Sequence, residues 1–299
     1  MDSRTGKRIR AGRLFDPASG RAIVVALSHG VLLGPSAGME SLSRLRATAA
    51  AVTAAEAVMV APGLVEPLED LFVGRDRPSL IVHADWQSAS RSVLRDDGSA
   101  LAAVAAATTA TADDAAAAGA IAVMTFLYAG FADPRLERDE VTRNAAMARA
   151  CERVGILHLI EPRNARDRTH PAERNDPVVA AYLARLAAEI GADIVKVVYP
   201  GSREALAQVV EGCPAPVLLA GGTEAENHER GEALAADAVA TGCRGIVCPP
   251  DPRRPGAPGG GCPRTVRAGG ELIPRAGRRD ERSLPATPAR RASARPQRG

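Results

Sequence analysis

Between residue 20 and about residue 248 the chain alternates short aliphatic and β-branched runs with longer alanine-rich stretches. The apolar runs are Ala22–Leu27, Ala57–Ala61, Ser79–Ala84, Ile121–Leu127, Ile156–Ile160, Asp193–Val198, Pro216–Ala220 and Gly245–Val247. They are apolar almost throughout, the pattern of strands buried on both faces of a parallel sheet. The stretches Ser41–Ala55, Asp133–Val154, Val178–Ile190, Arg203–Val210 and Glu224–Ala240 predict helices. Asp133 and Ser202 are placed to cap helix starts, and Gly155, Gly191 and Gly242 to end helices. Eight strand–helix units in roughly 230 residues predict a (β/α)8 TIM barrel. A doubly wound open sheet is the competitor, but no GxGxxG follows the first strand.

The pattern stops after Val247. Cys248-Pro249-Pro250-Asp251-Pro252-Arg253-Arg254-Pro255 opens a segment rich in Pro, Arg and Gly, with almost no aliphatic periodicity. Such a composition buries too little apolar surface to offset the entropy of ordering. Residues 1–248 therefore read as the barrel domain and 249–299 as a disordered tail. The eighth helix that a barrel should place after its last strand is not visible in this stretch.

Composition narrows the function. An aromatic content of 3% leaves Ala, Val, Leu and Ile to build the core. A formal charge of +3, with its excess at the C-terminus, is too small to imply a nucleic-acid partner. The N-terminus lacks the apolar region of a signal peptide, and no run of about 18 apolar residues predicts a membrane span. The five cysteines show no CxxC or zinc-type spacing and read as reduced thiols of a cytoplasmic protein. The sequence calls for no metal and no cofactor.

Of the 38 basic residues only two are lysines, Lys7 and Lys196. Arginine serves for salt bridges and phosphate contacts, but it cannot lose its proton near neutral pH and attack a carbonyl. A lysine among apolar neighbours can do so. Lys196 lies inside the sixth strand run, Asp-Ile-Val-Lys-Val-Val-Tyr-Pro-Gly (193–201). In a (β/α)8 barrel the C-terminal strand ends converge on one mouth. Glu161 ends the preceding strand and is the expected proton shuttle for Lys196, with a pKa raised by apolar surroundings. The alternative is an ion pair that only holds the mouth together. Gly201-Ser202 and Gly221-Gly222 lie between a strand and a helix, where backbone amides can meet a phosphate or can simply make the turn. Arg163 is placed for a phosphate contact or for solvent. Ser28 and His29 end the first strand and His83 the third, positions that suit a ligand or a hydrogen-bonded structural histidine.

With these residues the chain resembles the archaeal-type class I fructose-bisphosphate aldolases, Schiff-base enzymes of the deoxyribose-phosphate aldolase-like superfamily. The resemblance is carried by residues 6–17, Ser-His-Gly-Val-Leu-Leu-Gly-Pro (28–35), Ala-Asp-Ile-Val-Lys (192–196), Val-Glu-Gly-Cys-Pro-Ala-Pro-Val (210–217) and Ala-Gly-Gly (220–222). It implies a (β/α)8 fold, a Schiff base on Lys196, and contacts from Gly201, Ser202, Gly221 and Gly222 to a substrate phosphate. The expected activity is a lyase acting on a ketose or keto-sugar, and the expected assembly a homo-oligomer. Three positions depart from the family. Ser28 replaces an aspartate, Glu161 stands where many members carry a tyrosine, and Cys248-Pro249-Pro250 replaces a Gly-Arg phosphate contact. These departures motivate a second reading, a catalytically impaired barrel that binds sugar phosphate or serves as an assembly subunit.

Overall fold

A computed structural model of the chain describes residues 2–88, 104–166, 170–221 and 233–250. Eight strands close into a parallel barrel: β1 (Ala22–Ala26), β2 (Ala57–Val60), β3 (Ser79–His83), β6 (Ala122–Ala129), β7 (Leu157–Asn164), β8 (Ile194–Val197), β9 (Val217–Ala220) and β10 (Gly245–Cys248). The short strands β4 (Asp85–Gln87) and β5 (Ala106–Thr108) pair antiparallel beyond the end of β3. The TIM-type barrel expected from the sequence is the fold. The expected tail, the missing eighth helix and the first part of Glu224–Ala240 lie outside the described residues; 233–240 is helical.

The strands are apolar throughout because alternate residues serve two different cores. Ala22, Val24, Met59, Ile81, Met124, Leu159, Ile194 and Leu218 fill the barrel interior. Their sequence neighbours Ile23, Val25, Val58, Leu80, Val123, Ile160, Val195 and Leu219 face the surrounding helices. Burying each of the Val, Leu, Ile and Met side chains among them stabilises the fold by about 1.5–3 kcal/mol relative to exposure. The inward series continues upward as polar residues. Leu157 and Leu159 lead to Glu161 on β7, and Ile194 leads to Lys196 on β8. β7 runs to Asn164, so Glu161 and Arg163 lie within the strand, farther along it than the sequence indicates.

The helices are α1 (Ser3–Leu14), α2 (Gly30–Leu33), α3 (Leu42–Ala51), α4 (Ala112–Ala117), α5 (Pro134–Val154), α6 (Pro177–Glu189) and α7 (Arg203–Gly212). Asp133 caps α5 by accepting from the Arg135 amide, and Gly155 ends it at φ 70°, a conformation glycine adopts without strain. The helix α1 is absent from the sequence reading. It has a weak apolar stripe because polar groups dock it against the N-terminal strand ends. Lys7 pairs with Asp193, just before β8, and Arg10 donates to the carbonyl oxygens of Gly155 and Ala120. Leu14 then closes the barrel interior from below.

Cys151, Cys213 and Cys243 are free and buried, and burial pushes the thiols of Cys151 and Cys243 up to about 12 and 11. Cys248 is disulfide-bonded, which departs from the expectation that all five cysteines are reduced. Among the described residues no helix is long and apolar enough to cross a membrane.

Candidate active site

The barrel mouth holds a cavity of about 680 Å³, lined by Ser28, His29, His83, Glu161, Arg163, Lys196, Gly201 and Gly221 among others. β7 and β8 pair with Leu159 beside Ile194, and two steps further along that register Glu161 stands beside Lys196. The Lys196 amine donates to Glu161 Oε2 at 2.6 Å. Arg163 approaches Glu161 Oε1 at 3.4 Å. Burial alone would raise the Glu161 pKa. The nearby charges of Lys196 and Arg163, with the Lys196 hydrogen bond, outweigh it and hold the carboxyl below its ordinary range. The sequence expectation of a raised pKa is thus reversed, because the partner it named is itself the dominant charge.

On another part of the wall, His83 Nδ1 meets Ser28 Oγ at 2.9 Å and His83 Nε2 meets Asp85 Oδ1 at 3.0 Å. The second oxygen of Asp85 accepts from the Phe126 amide at 2.8 Å and from Arg143 at 2.9 Å. Ser28, His83 and Asp85 are all buried. Arg143 comes from α5, far from any strand end, and nothing in its local sequence marks it.

His29 precedes α2, and its buried Nδ1 has no hydrogen-bond partner among the described residues. Loss of water, then the charge of Lys196, lower its pKa to about 4. The imidazole is therefore neutral at pH 7.

The expected phosphate residues divide. Gly201 lines the cavity, and Arg174 joins Arg163 on its wall, a contributor the sequence did not suggest. Ser202 caps α7, its Oγ accepting from the Ala205 amide at 3.1 Å, and lies outside the lining. The amide of Gly221 donates to the Val247 carbonyl at 2.7 Å, so it is already engaged within the barrel. A side chain at Gly221 would press on Val247 and Cys248, which explains the glycine by close packing of strand ends. Gly222 lies outside the described residues. Tyr199 donates to Asp237 at 2.7 Å, and burial followed by this bond pushes its hydroxyl up to about 12. Among the described residues no group of three or more His, Cys, Asp or Glu is placed to hold a metal.

A lysine hydrogen-bonded to a carboxylate thus lines the mouth of a closed eight-stranded parallel barrel. The chain belongs to the DeoC/LacD family of aldolases, whose model matches residues 22–248. An uncharacterized aldolase of Saccharolobus solfataricus is 32% identical over 242 residues, covering 81% of this chain and 86% of that protein. The 2-amino-3,7-dideoxy-D-threo-hept-6-ulosonate synthase of Halobacterium salinarum is 30% identical over 246 residues, covering 81% and 83%. A Schiff base-forming fructose-1,6-bisphosphate aldolase superposes with a TM-score of 0.64 at 21% identity, covering 81% of this chain and 91% of that one. This last likeness concerns the fold.

Proposed function

We propose that the protein is a class I aldolase that makes or breaks a C–C bond in a ketose or keto-sugar phosphate through a Schiff base on Lys196. The observation that carries this reading is the 2.6 Å contact between Lys196 and Glu161 in the cavity. An ammonium cannot attack a carbonyl, so Lys196 must first give up a proton, and Glu161 is the group in position to take it. Glu161 is held ionised by that same ammonium. Once the proton moves, the charge that held Glu161 down is gone, and burial then favours its neutral form. The neutral carboxyl can donate to the carbinolamine hydroxyl, which leaves as water. The iminium restores a positive charge at the nitrogen and draws Glu161 back to a carboxylate. The iminium then accepts the electron pair of the breaking C–C bond.

The rest of the cavity suits a phosphorylated carbonyl compound. Arg163 and Arg174 both line it, and a phosphate matches the planar donors of a guanidinium. His29 presents a buried nitrogen that lacks a partner among the described residues, and a substrate hydroxyl would satisfy it. The related proteins include a hept-6-ulosonate synthase and fructose-bisphosphate aldolases, whose names carry keto-sugar chemistry.

The test is borohydride reduction with a panel of keto-sugars, with and without phosphate. Mass spectrometry should find a reduced adduct on Lys196, strongest with a phosphorylated member, and Lys196→Arg should abolish it. An adduct on Lys7, or activity that requires a metal, would refute the mechanism. Sugar-phosphate binding without trapping or turnover would favour a barrel that binds and does not catalyse.

A further inference from the structure

We infer that Ser28, His83 and Asp85 form a proton relay for the substrate hydroxyl during C–C cleavage. The inference rests on the Schiff-base reading of Lys196. Aldol cleavage breaks the O–H bond of a hydroxyl on the carbon two positions from the carbonyl carbon. Glu161 is bonded to Lys196 and serves the amine. A second proton carrier at the other end of the reacting unit serves that hydroxyl.

The barrel order runs β1-β10-β9-β8-β7-β6-β3-β2. Glu161 is on β7, and Ser28 follows β1, four strands round the closed barrel and thus on the opposite wall. Both line the same cavity. Ser28 Oγ is 2.9 Å from His83 Nδ1, and His83 Nε2 is 3.0 Å from Asp85.

The hydrogen bonds around Asp85 assign the roles. Its Oδ2 accepts from Arg143 and from the Phe126 amide, so the group facing His83 is a carboxylate that accepts at Oδ1. The proton of His83 is then on Nε2, and Nδ1 turns a lone pair to the Ser28 hydroxyl. This is the base–orienter arrangement that activates a hydroxyl, with the ring nitrogens exchanged relative to serine hydrolases. Serine thereby recovers the proton-accepting ability that a hydroxyl alone lacks.

In the cleavage step the substrate hydroxyl proton passes to Ser28 Oγ as the proton of Ser28 passes to His83 Nδ1. The substrate oxygen forms the new C=O bond. The C–C pair becomes the enamine C=C, and the iminium π pair settles on the Lys196 nitrogen. His83 becomes an imidazolium opposite Asp85. After the aldehyde leaves, the proton returns by the same path to the enamine carbon, so no co-reactant is needed. Ser28 is the catalytic residue, and His83 and Asp85 are positioning residues behind it.

Three measurements test this. Nitrogen-15 spectra of the ligand-free protein should show His83 protonated at Nε2 and bare at Nδ1, its signals identified by their loss in His83→Gln. Cleavage is followed with fructose 1,6-bisphosphate and fructose 1-phosphate, and trapping on Lys196 with dihydroxyacetone phosphate, which has no C–C bond to break. His83→Gln and Ser28→Ala should each cut cleavage by about 100-fold or more and change trapping by less than about threefold. The double variant should be no worse than either single one, because the residues act as a unit. If His83→Gln fails to fold, the cleavage and trapping rates of Ser28→Ala still decide. An Nδ1–H tautomer, a cleavage loss below about tenfold, or a parallel loss of trapping overturns the relay. A wild-type protein that traps no keto-sugar phosphate and cleaves neither fructose phosphate overturns the Schiff-base reading, and the relay with it.

Discussion

At the bottom of the barrel Lys7 reaches Asp193 at 2.8 Å and Glu152 at 2.7 Å, while at the mouth Lys196 reaches Glu161 at 2.6 Å. Both lysine side chains are 13% exposed, and both contacts are short enough to be charge-assisted hydrogen bonds. Their surroundings differ. Lys7 reaches across from α1 to two carboxylates, one of which, Asp193, also accepts from the His158 amide at 2.8 Å. Lys196 and Glu161 line a cavity with two arginines and a histidine whose buried Nδ1 lacks a partner among the described residues. A short lysine–carboxylate contact therefore does not by itself mark a catalytic amine; the space around it does.

Exchanging the two lysines in turn separates these roles most strongly. Lys196→Arg keeps the charge opposite Glu161 yet should lower turnover by at least about 10⁴-fold, the scale seen when a covalent nucleophile is removed. Lys7→Arg should leave turnover and trapping near the wild-type level, since a guanidinium can serve two carboxylates. Rates for the two variants with one trapped substrate decide the matter. A Lys7→Arg enzyme as inactive as Lys196→Arg would erase the distinction.

Glu161→Gln probes the mouth from the acid side. It removes the proton carrier and leaves the Lys196 charge without its carboxylate, so turnover should fall by about 10²–10⁴-fold and trapping should slow. The pairing also sets a pH window. The folded pKa of Glu161 is depressed, so its stabilising contribution is complete above the unfolded value of about 4.3 and is lost as pH falls through the folded value. The melting difference between wild type and Glu161→Gln should thus be constant at neutral pH and shrink only in acid. A difference that instead fades between pH 8 and 6 would mean that Glu161 is not held ionised.

The architecture was legible in the sequence because each barrel strand is buried on both faces, and an uninterrupted aliphatic run survives any local detail. Lys196 and Glu161 were legible for the same reason, as charged residues at the ends of such runs. The relay behind Ser28 was only half visible. His83 and Asp85 are marked by their strand end, but Arg143 enters from the middle of α5 on the far side of the sheet, where helix periodicity carries no information about a partner. Helix α1 escaped because its docking is polar, through Lys7 and Arg10, and leaves little apolar rhythm. The glycines divide: Gly155 ends its helix and Gly201 lines the cavity, whereas Gly221 serves packing. Gly221 is required by the close approach of Val247 and Cys248, a packing demand that reads in sequence like a phosphate loop.

Removing the lower lysine altogether should touch stability alone. Lys7→Met leaves Asp193 and Glu152 without their common cation. Because Glu152 is half exposed and water screens it, the cost is about 1–3 kcal/mol, below that of breaking a fully buried pair. For a domain of this size that lowers the melting temperature by several degrees, at about 2–4 °C per kcal/mol. Trapping on Lys196 should persist.

The smallest effect is the pH dependence of that same difference. Burial would lower the Lys7 pKa, but the hydrogen bonds and charges of Asp193 and Glu152 outweigh it and raise the value. A raised folded pKa means that the contribution of Lys7 is fully present below the unfolded value of about 10.4 and is lost as pH rises through the folded one. Melting temperatures of wild type and Lys7→Met should therefore differ by a constant amount up to about pH 10 and converge above it. Other groups that titrate in this range are shared by both proteins and cancel in the difference. Convergence already at pH 8 would show that Lys7 loses its proton as easily as a catalytic amine must. The bottom of the barrel would then no longer contrast with its mouth.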